Sequence, residues 1–175
     1  MKKLLGKFTA LDHKIVHWMN ESYDENIAWL FDSISVNPAI VYLIAFGINL
    51  TYFDNKYFVV LLLYIFAGVI VVIMKQIIGR HRPIPRHGNL MKKIFDFEND
   101  SYSFPSAHTF GMFQLIPLMF SMFSWLGIVF IFYAAFVAFS RLYMKFHYFS
   151  DILVGALLGI FWGAFILIAL GFTIL

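Results

Sequence analysis

The sequence predicts an all-α protein, a polytopic membrane helix bundle of about five transmembrane helices with an amphipathic helical segment at its N-terminus. Three observations carry that prediction. The 175 residues are 61% hydrophobic and only 13% charged, with a mean hydropathy of +0.79. Several apolar runs are long enough to cross a bilayer, and the ionisable residues among them sit at the ends of the runs. A soluble domain is about a quarter charged, so a globule of this composition would lack the polar residues to cover its core. The same scarcity of charge excludes disorder, coiled coil and a phosphate-tracking nucleic-acid surface. Cysteine is absent, which removes thiolate chemistry and Cys-based zinc sites.

The chain reads as one domain over 1–175, with amphipathic interfacial helices in 1–37 and a five-span bundle in 38–175. Met1-Lys2-Lys3-Leu4-Leu5 opens like a signal peptide, but Gly6 and Lys7 interrupt the apolar run, so the segment is expected to be retained. Leu11, Ile15, Trp18, Met19 and Tyr23, then Ile27, Leu30, Phe31 and Ile34, recur every three or four residues among charges, the pattern of helices lying in the interface plane. Thr9 and Asp12 have capping-box spacing, and Asn37-Pro38 supplies a stop and a new start. Spans are then expected over 38–53, 57–78, 108–124, 125–143 and 152–175. Each crossing reverses the chain, so 1–37, 79–107 and 144–151 share one face of the membrane.

Ionisable residues at the ends of spans are functional candidates because their burial is costly. Lys75, Arg82, His108, Arg141, His147 and Asp151 all fall on the shared face. Cations and imidazoles gathered around a single carboxylate make an anion site, and phosphate fits best. Pro105-Ser106-Ala107-His108 opens a long helix there, and a helix N-terminus offers a phosphate its backbone N–H groups and the positive end of the macrodipole. Arg82 and Arg141 present forks for nonbridging oxygens, Lys75 a point charge and Ser106 a hydroxyl. His147 and Asp151 lie four apart, so on one helix face the carboxylate accepts the Nδ1 proton and aims Nε2 at phosphorus, while His108 protonates the leaving oxygen.

Other residues have plainer readings. Arg80, His81, Arg86 and His87 are expected to be solvated loop charges, and Trp125, Tyr143 and Tyr148 to form an interfacial aromatic belt. His13 and His17 have i, i+4 spacing but no third ligand nearby, so no metal site is expected there.

Lys75-x6-Arg82-Pro83, Pro105-Ser106-Ala107-His108 and Ser140-Arg141-x5-His147-x3-Asp151 resemble the three signature motifs of the type 2 phosphatidic acid phosphatase superfamily, which also contains vanadium haloperoxidases. The resemblance covers about 75 to 151 and implies a phosphatase that uses no metal or other cofactor. It implies phosphate binding by Lys75, Arg82, Ser106, the Ala107 N–H and Arg141, with His147 as nucleophile, Asp151 as its partner and His108 as acid. Two departures stand out. Ala107 replaces a common Gly and can donate its N–H only if its φ stays negative; and the amphipathic segment stands where many relatives have a sixth span.

Among family substrates, undecaprenyl pyrophosphate, lipid A 1-phosphate and phosphatidylglycerophosphate suit a small membrane member, as hydrolase or as lipid-to-lipid phosphotransferase. A non-catalytic phospholipid binder or transporter is the alternative from another class. The expected partners are the bilayer and a lipid phosphate, with neither nucleic acid nor an obligate protein. The family implies the outer face of the cytoplasmic membrane. The positive-inside rule implies the opposite, since of the 13 Lys and Arg only Lys56 falls away from the site face.

Overall fold

The computed structural model of the chain describes residues 2–35, 40, 41, 44, 55–83 and 102–172. The described residues are helical, apart from short connections and one isolated bridge between His81 and Tyr102. The helices are α1 (Lys2–Glu21), α2 (Glu25–Ile34), α3 (Asn55–Ile78), α4 (Ala107–Met122), α5 (Ser124–Tyr143) and α6 (Phe149–Ala169). The expected span at 38–53 lies outside the described residues except for Ile40, Val41 and Ile44, which are helical.

Three helices are long and apolar enough to cross a membrane: Phe58–Ile78, Ser124–Tyr143 and Phe149–Ala169. Their outward faces leave Phe66, Ile77, Phe132, Phe161 and Ile168 exposed, as a lipid solvent permits. The 16-residue α4 behaves differently, being buried from Thr109 to Met119 except at Phe113. At 1.5 Å per residue it is only about 24 Å long, and it forms the axis around which α3, α5 and α6 pack.

The tightest of those contacts is with α6, and glycine makes it possible. Gly155, Gly159 and Gly163 recur every four residues along the α6 face that meets α4. A Cβ at Gly155 would stand 2.8 Å from the Ser106 carbonyl oxygen and one at Gly159 2.6 Å from that of Phe110, so the two backbones are in direct contact. Such small-residue stripes drive helix association in a bilayer, where no hydrophobic effect separates helix from lipid. Tyr64 joins α3 to the same contact, its hydroxyl donating to the Gly163 carbonyl at 3.1 Å while its own carbonyl accepts from Gln114 Nε2 at 3.2 Å.

The N-terminal helices pack on the ends of α5 and α6. Met19 and Ala28 bury against Tyr143 and Met144, while Trp18, Trp29 and Leu30 stay exposed on the outer side. The Tyr143 hydroxyl donates to the Ser22 carbonyl at 3.0 Å and accepts from the Asp24 N–H at 2.8 Å, which pins the α1–α2 turn. Two expectations need correction here. Helix α1 runs unbroken through Thr9, so Thr9 and Asp12 form no cap; Asp24 instead caps α2, accepting from the Asn26 and Ile27 N–H groups. Tyr143 is buried and hydrogen-bonded rather than part of an interfacial belt, because the N-terminal segment covers it.

The glycine contact yields a paired prediction. Gly159→Ala forces backbone apart and should destabilise the protein by about 1–3 kcal/mol, read as a lower melting temperature in detergent. Gly68→Ala, on α3, meets nothing within 4 Å and should hold or raise it.

Candidate active site

Four helix ends meet at one end of the bundle. The C-termini of α3 and α5 bring cations, and the N-termini of α4 and α6 bring backbone donors. Both cation-bearing helices end alike. The Lys75 carbonyl accepts from the Gly79 N–H at 3.0 Å, and Gly79 has φ +64°, so the chain turns sharply at a left-handed residue. The Arg141 carbonyl accepts from the Phe146 N–H at 3.1 Å and the Leu142 carbonyl from the Lys145 N–H at 2.9 Å, the paired bonds of a Schellman motif, with Lys145 at φ 58°. A cation thus sits in the last turn of each helix, where the macrodipole favours it. The turn then delivers Arg82 after Lys75, and His147 after Arg141.

Arg82 and Arg141 both approach Phe146, their guanidinium carbons 5.9 and 5.8 Å from its ring centre. Arg82 Nη1 donates to the Phe146 carbonyl at 3.1 Å. Arg141, 3% exposed, donates through Nη2 to the Ser35 hydroxyl and lies 3.8 Å from Asp32. These contacts fix the plane of each guanidinium. Lys75 is buried in the last turn of α3. Across from it, Ser106 caps α4, its hydroxyl 2.9 Å from that of Thr109, and its N–H donates to the Asp151 carbonyl oxygen at 3.1 Å. Ala107 and His108 follow as the first two residues of α4. Among the described residues Lys145 is the non-glycine with positive φ, so Ala107 meets the condition for donating its N–H.

His147 is 1% exposed. Its Nδ1 lies 2.7 Å from the Ser103 carbonyl oxygen and 3.7 Å from Asp151 Oδ2. A carbonyl only accepts, so Nδ1 carries a proton, and in the neutral imidazole Nε2 carries the lone pair. The expected direct bond from Nδ1 to Asp151 is therefore replaced by one to the Ser103 carbonyl, with the carboxylate a longer-range neighbour. Asp151 is fully buried and is engaged elsewhere: Oδ2 accepts from the Tyr148 N–H at 2.8 Å at the start of α6, and Oδ1 from Arg80 Nη1 at 2.6 Å.

Arg80 corrects another expectation. It is not a solvated loop charge but a bridge, with Nη1 on Asp151 and Nη2 on Asp12 at 2.7 Å, lying 4.1 Å over the Tyr148 ring. Tyr148 is thereby a platform for Arg80, not a belt residue. His81 is exposed beside Tyr102, and Arg86 and His87 lie outside the described residues. Sequence reasoning missed Ser103, which contributes only a backbone carbonyl, and the pair Asp12–Arg80, whose partners are far apart in the chain.

The fold and this cluster can be set beside known proteins. Among curated protein sequences none matches significantly. The structure is similar to the crystal structure of a transmembrane PAP2-type phosphatidylglycerolphosphate phosphatase from Bacillus subtilis, with a TM-score of 0.71 and 20% identity over 90% of this chain and 83% of that one. At that identity the likeness speaks to the fold, and with the apolar helices it makes this a multi-pass membrane protein. The model of the PAP2 superfamily matches residues 56–173, a stretch that takes in Lys75, Arg82, Ser106, His108, Arg141, His147 and Asp151, and the chain belongs to that superfamily.

Proposed function

We propose that the protein is an integral membrane lipid phosphatase that works through a phosphohistidine and without a metal. The observation that carries this reading is the buried His147, held by a carbonyl at Nδ1 so that its Nε2 lone pair is the nucleophile, at the bundle end where Lys75, Arg82 and Arg141 are buried. Buried cations favour an anion that shares their low-dielectric surroundings.

In the proposed reaction Lys75, Arg82, Arg141, the Ser106 hydroxyl and the Ala107 N–H hold the nonbridging oxygens. His147 Nε2 forms a bond to phosphorus as the bond to the lipid oxygen breaks, and His108 gives that oxygen its proton. Water then attacks the phosphohistidine, His108 takes a proton from it, and inorganic phosphate leaves with Nε2 restored. A site at the ends of membrane helices favours a substrate whose tails remain in the bilayer. Undecaprenyl pyrophosphate, lipid A 1-phosphate and phosphatidylglycerophosphate are the proposed class, the last being the substrate named for the similar structure.

Purified protein in detergent with EDTA should release inorganic phosphate from at least one of these lipids, and His147→Ala should lower the rate by at least about a thousandfold. No release from any of them, loss of activity on chelation, or full activity in His147→Ala would overturn the reading.

We place the site on the extracytoplasmic face of the cytoplasmic membrane, as the family resemblance implies and against the positive-inside count. The chain has no cysteine, so Asn89→Cys introduces a unique thiol at a position that falls between α3 and α4 in the sequence. It should react with a membrane-impermeant maleimide in intact spheroplasts; labelling only after lysis would put the site in the cytoplasm.

A further inference from the structure

We infer that Asp12, on the N-terminal helix α1, is a positioning residue of the active site: acting through Arg80, it holds the Asp151 carboxylate and keeps a net negative charge behind His147. The inference rests on the proposed role of His147 and adds a part of the chain that the family match does not reach, since that match begins at residue 56.

Asp12 is 2% exposed although it belongs to an amphipathic helix on which the charged Lys14 and Glu21 are exposed. Both of its oxygens are engaged with the site. Oδ1 accepts from the Ser150 N–H at 3.0 Å, and Oδ2 accepts from the Ser150 hydroxyl at 2.6 Å and from Arg80 Nη2 at 2.7 Å. Ser150 lies in the first turn of α6, so a carboxylate 138 residues away in sequence satisfies a helix donor that lacks an intrahelical acceptor. Arg80 uses its other fork nitrogen on Asp151 and on the Ser150 hydroxyl, both at 2.6 Å. A guanidinium gripped at both nitrogens and stacked on Tyr148 cannot swing away from Asp151 without breaking its bonds to Asp12.

The charges give the arrangement its chemical meaning. Arg80 and Asp151 alone cancel, and the proton on His147 Nδ1 would then face a neutral pair. With Asp12 the group carries one net negative charge, close to an imidazole that becomes cationic when Nε2 bonds to phosphorus. A buried charge network of this kind stabilises that cation and leaves the phosphate-binding residues untouched. Asp12 therefore acts on turnover rather than on substrate binding.

The test measures phosphate release from dioleoyl phosphatidic acid and from phosphatidylglycerophosphate in mixed micelles, using full-length wild type, Asp12→Asn, Asp12→Glu, Arg80→Gln and the Asp12→Asn/Arg80→Gln double variant. Asp12→Asn should lower kcat about tenfold with KM within about twofold, and Asp12→Glu should recover part of that loss at an equal melting temperature. The double variant should be no slower than Arg80→Gln, because Asp12 acts through Arg80. If the Arg80 variants do not fold, the kcat–KM split and the Glu rescue decide. An unchanged kcat in Asp12→Asn, a loss confined to KM, or losses that multiply in the double variant would overturn the inference. Wild type that releases no phosphate from these lipids, from undecaprenyl pyrophosphate or from lipid A 1-phosphate would remove the proposed function and this inference together. Active wild type and inactive His147→Ala beside a fully active Asp12→Asn would remove the inference alone.

Discussion

A charged group taken out of water must be met by partners, and that requirement organises this protein. Among the described residues the buried ions are Asp12, Lys75, Arg82, Arg141 and Asp151, and all of them lie at one end of the bundle. Each is placed by the end of a helix or fixed by a residue that is. Lys75 and Arg141 stand in the last turns of their helices, Asp151 accepts from the N–H of Tyr148, the N-cap of α6, and Asp12 satisfies the Ser150 donor in the first turn. The helix ends supply compensating partial charges, so the cluster does not depend on ion pairing alone.

That arrangement requires the helix ends to arrive at the same level, and the glycine stripe of α6 sets the level. Because Gly155 brings α6 against the Ser106 carbonyl, the cap of α4 and the first turn of α6 are neighbours, and the Ser106 N–H reaches the Asp151 carbonyl. Packing in the middle of the membrane therefore controls geometry at its surface. The α1–α2 segment closes the assembly from outside the bundle, through Asp12 on one side and Ser35 beside Arg141 on the other. Its exposed Trp18 and Trp29 give the same segment an apolar outer face, suited to the interface.

Much of this was legible in the chain. Long apolar runs and the polar motifs at their ends identified a helical membrane bundle and brought Lys75, Arg82, Ser106, His108, Arg141, His147 and Asp151 to one face. Local spacing reads that much because helix periodicity and crossing order are local properties. The Gly155–Gly159–Gly163 stripe was equally readable at four-residue spacing and passed unused. Three features left no local trace. Ser103 contributes a carbonyl, which every residue type possesses. Asp12 looked like a cap to Thr9 because the spacing fits, and only tertiary packing turns it toward Ser150. Arg80 shares its loop with exposed His81, and the two part because Asp151 and Asp12 meet one of them from distant helices.

The account turns on the proposal that phosphate passes through a covalent bond to His147. Rapid quenching of the protein during turnover of a lipid labelled in its terminal phosphate tests this directly. The account predicts label on the protein that is stable in base and labile in acid, maps to His147 and forms as fast as phosphate is released. Turnover without labelled protein, or label on another residue, would contradict it.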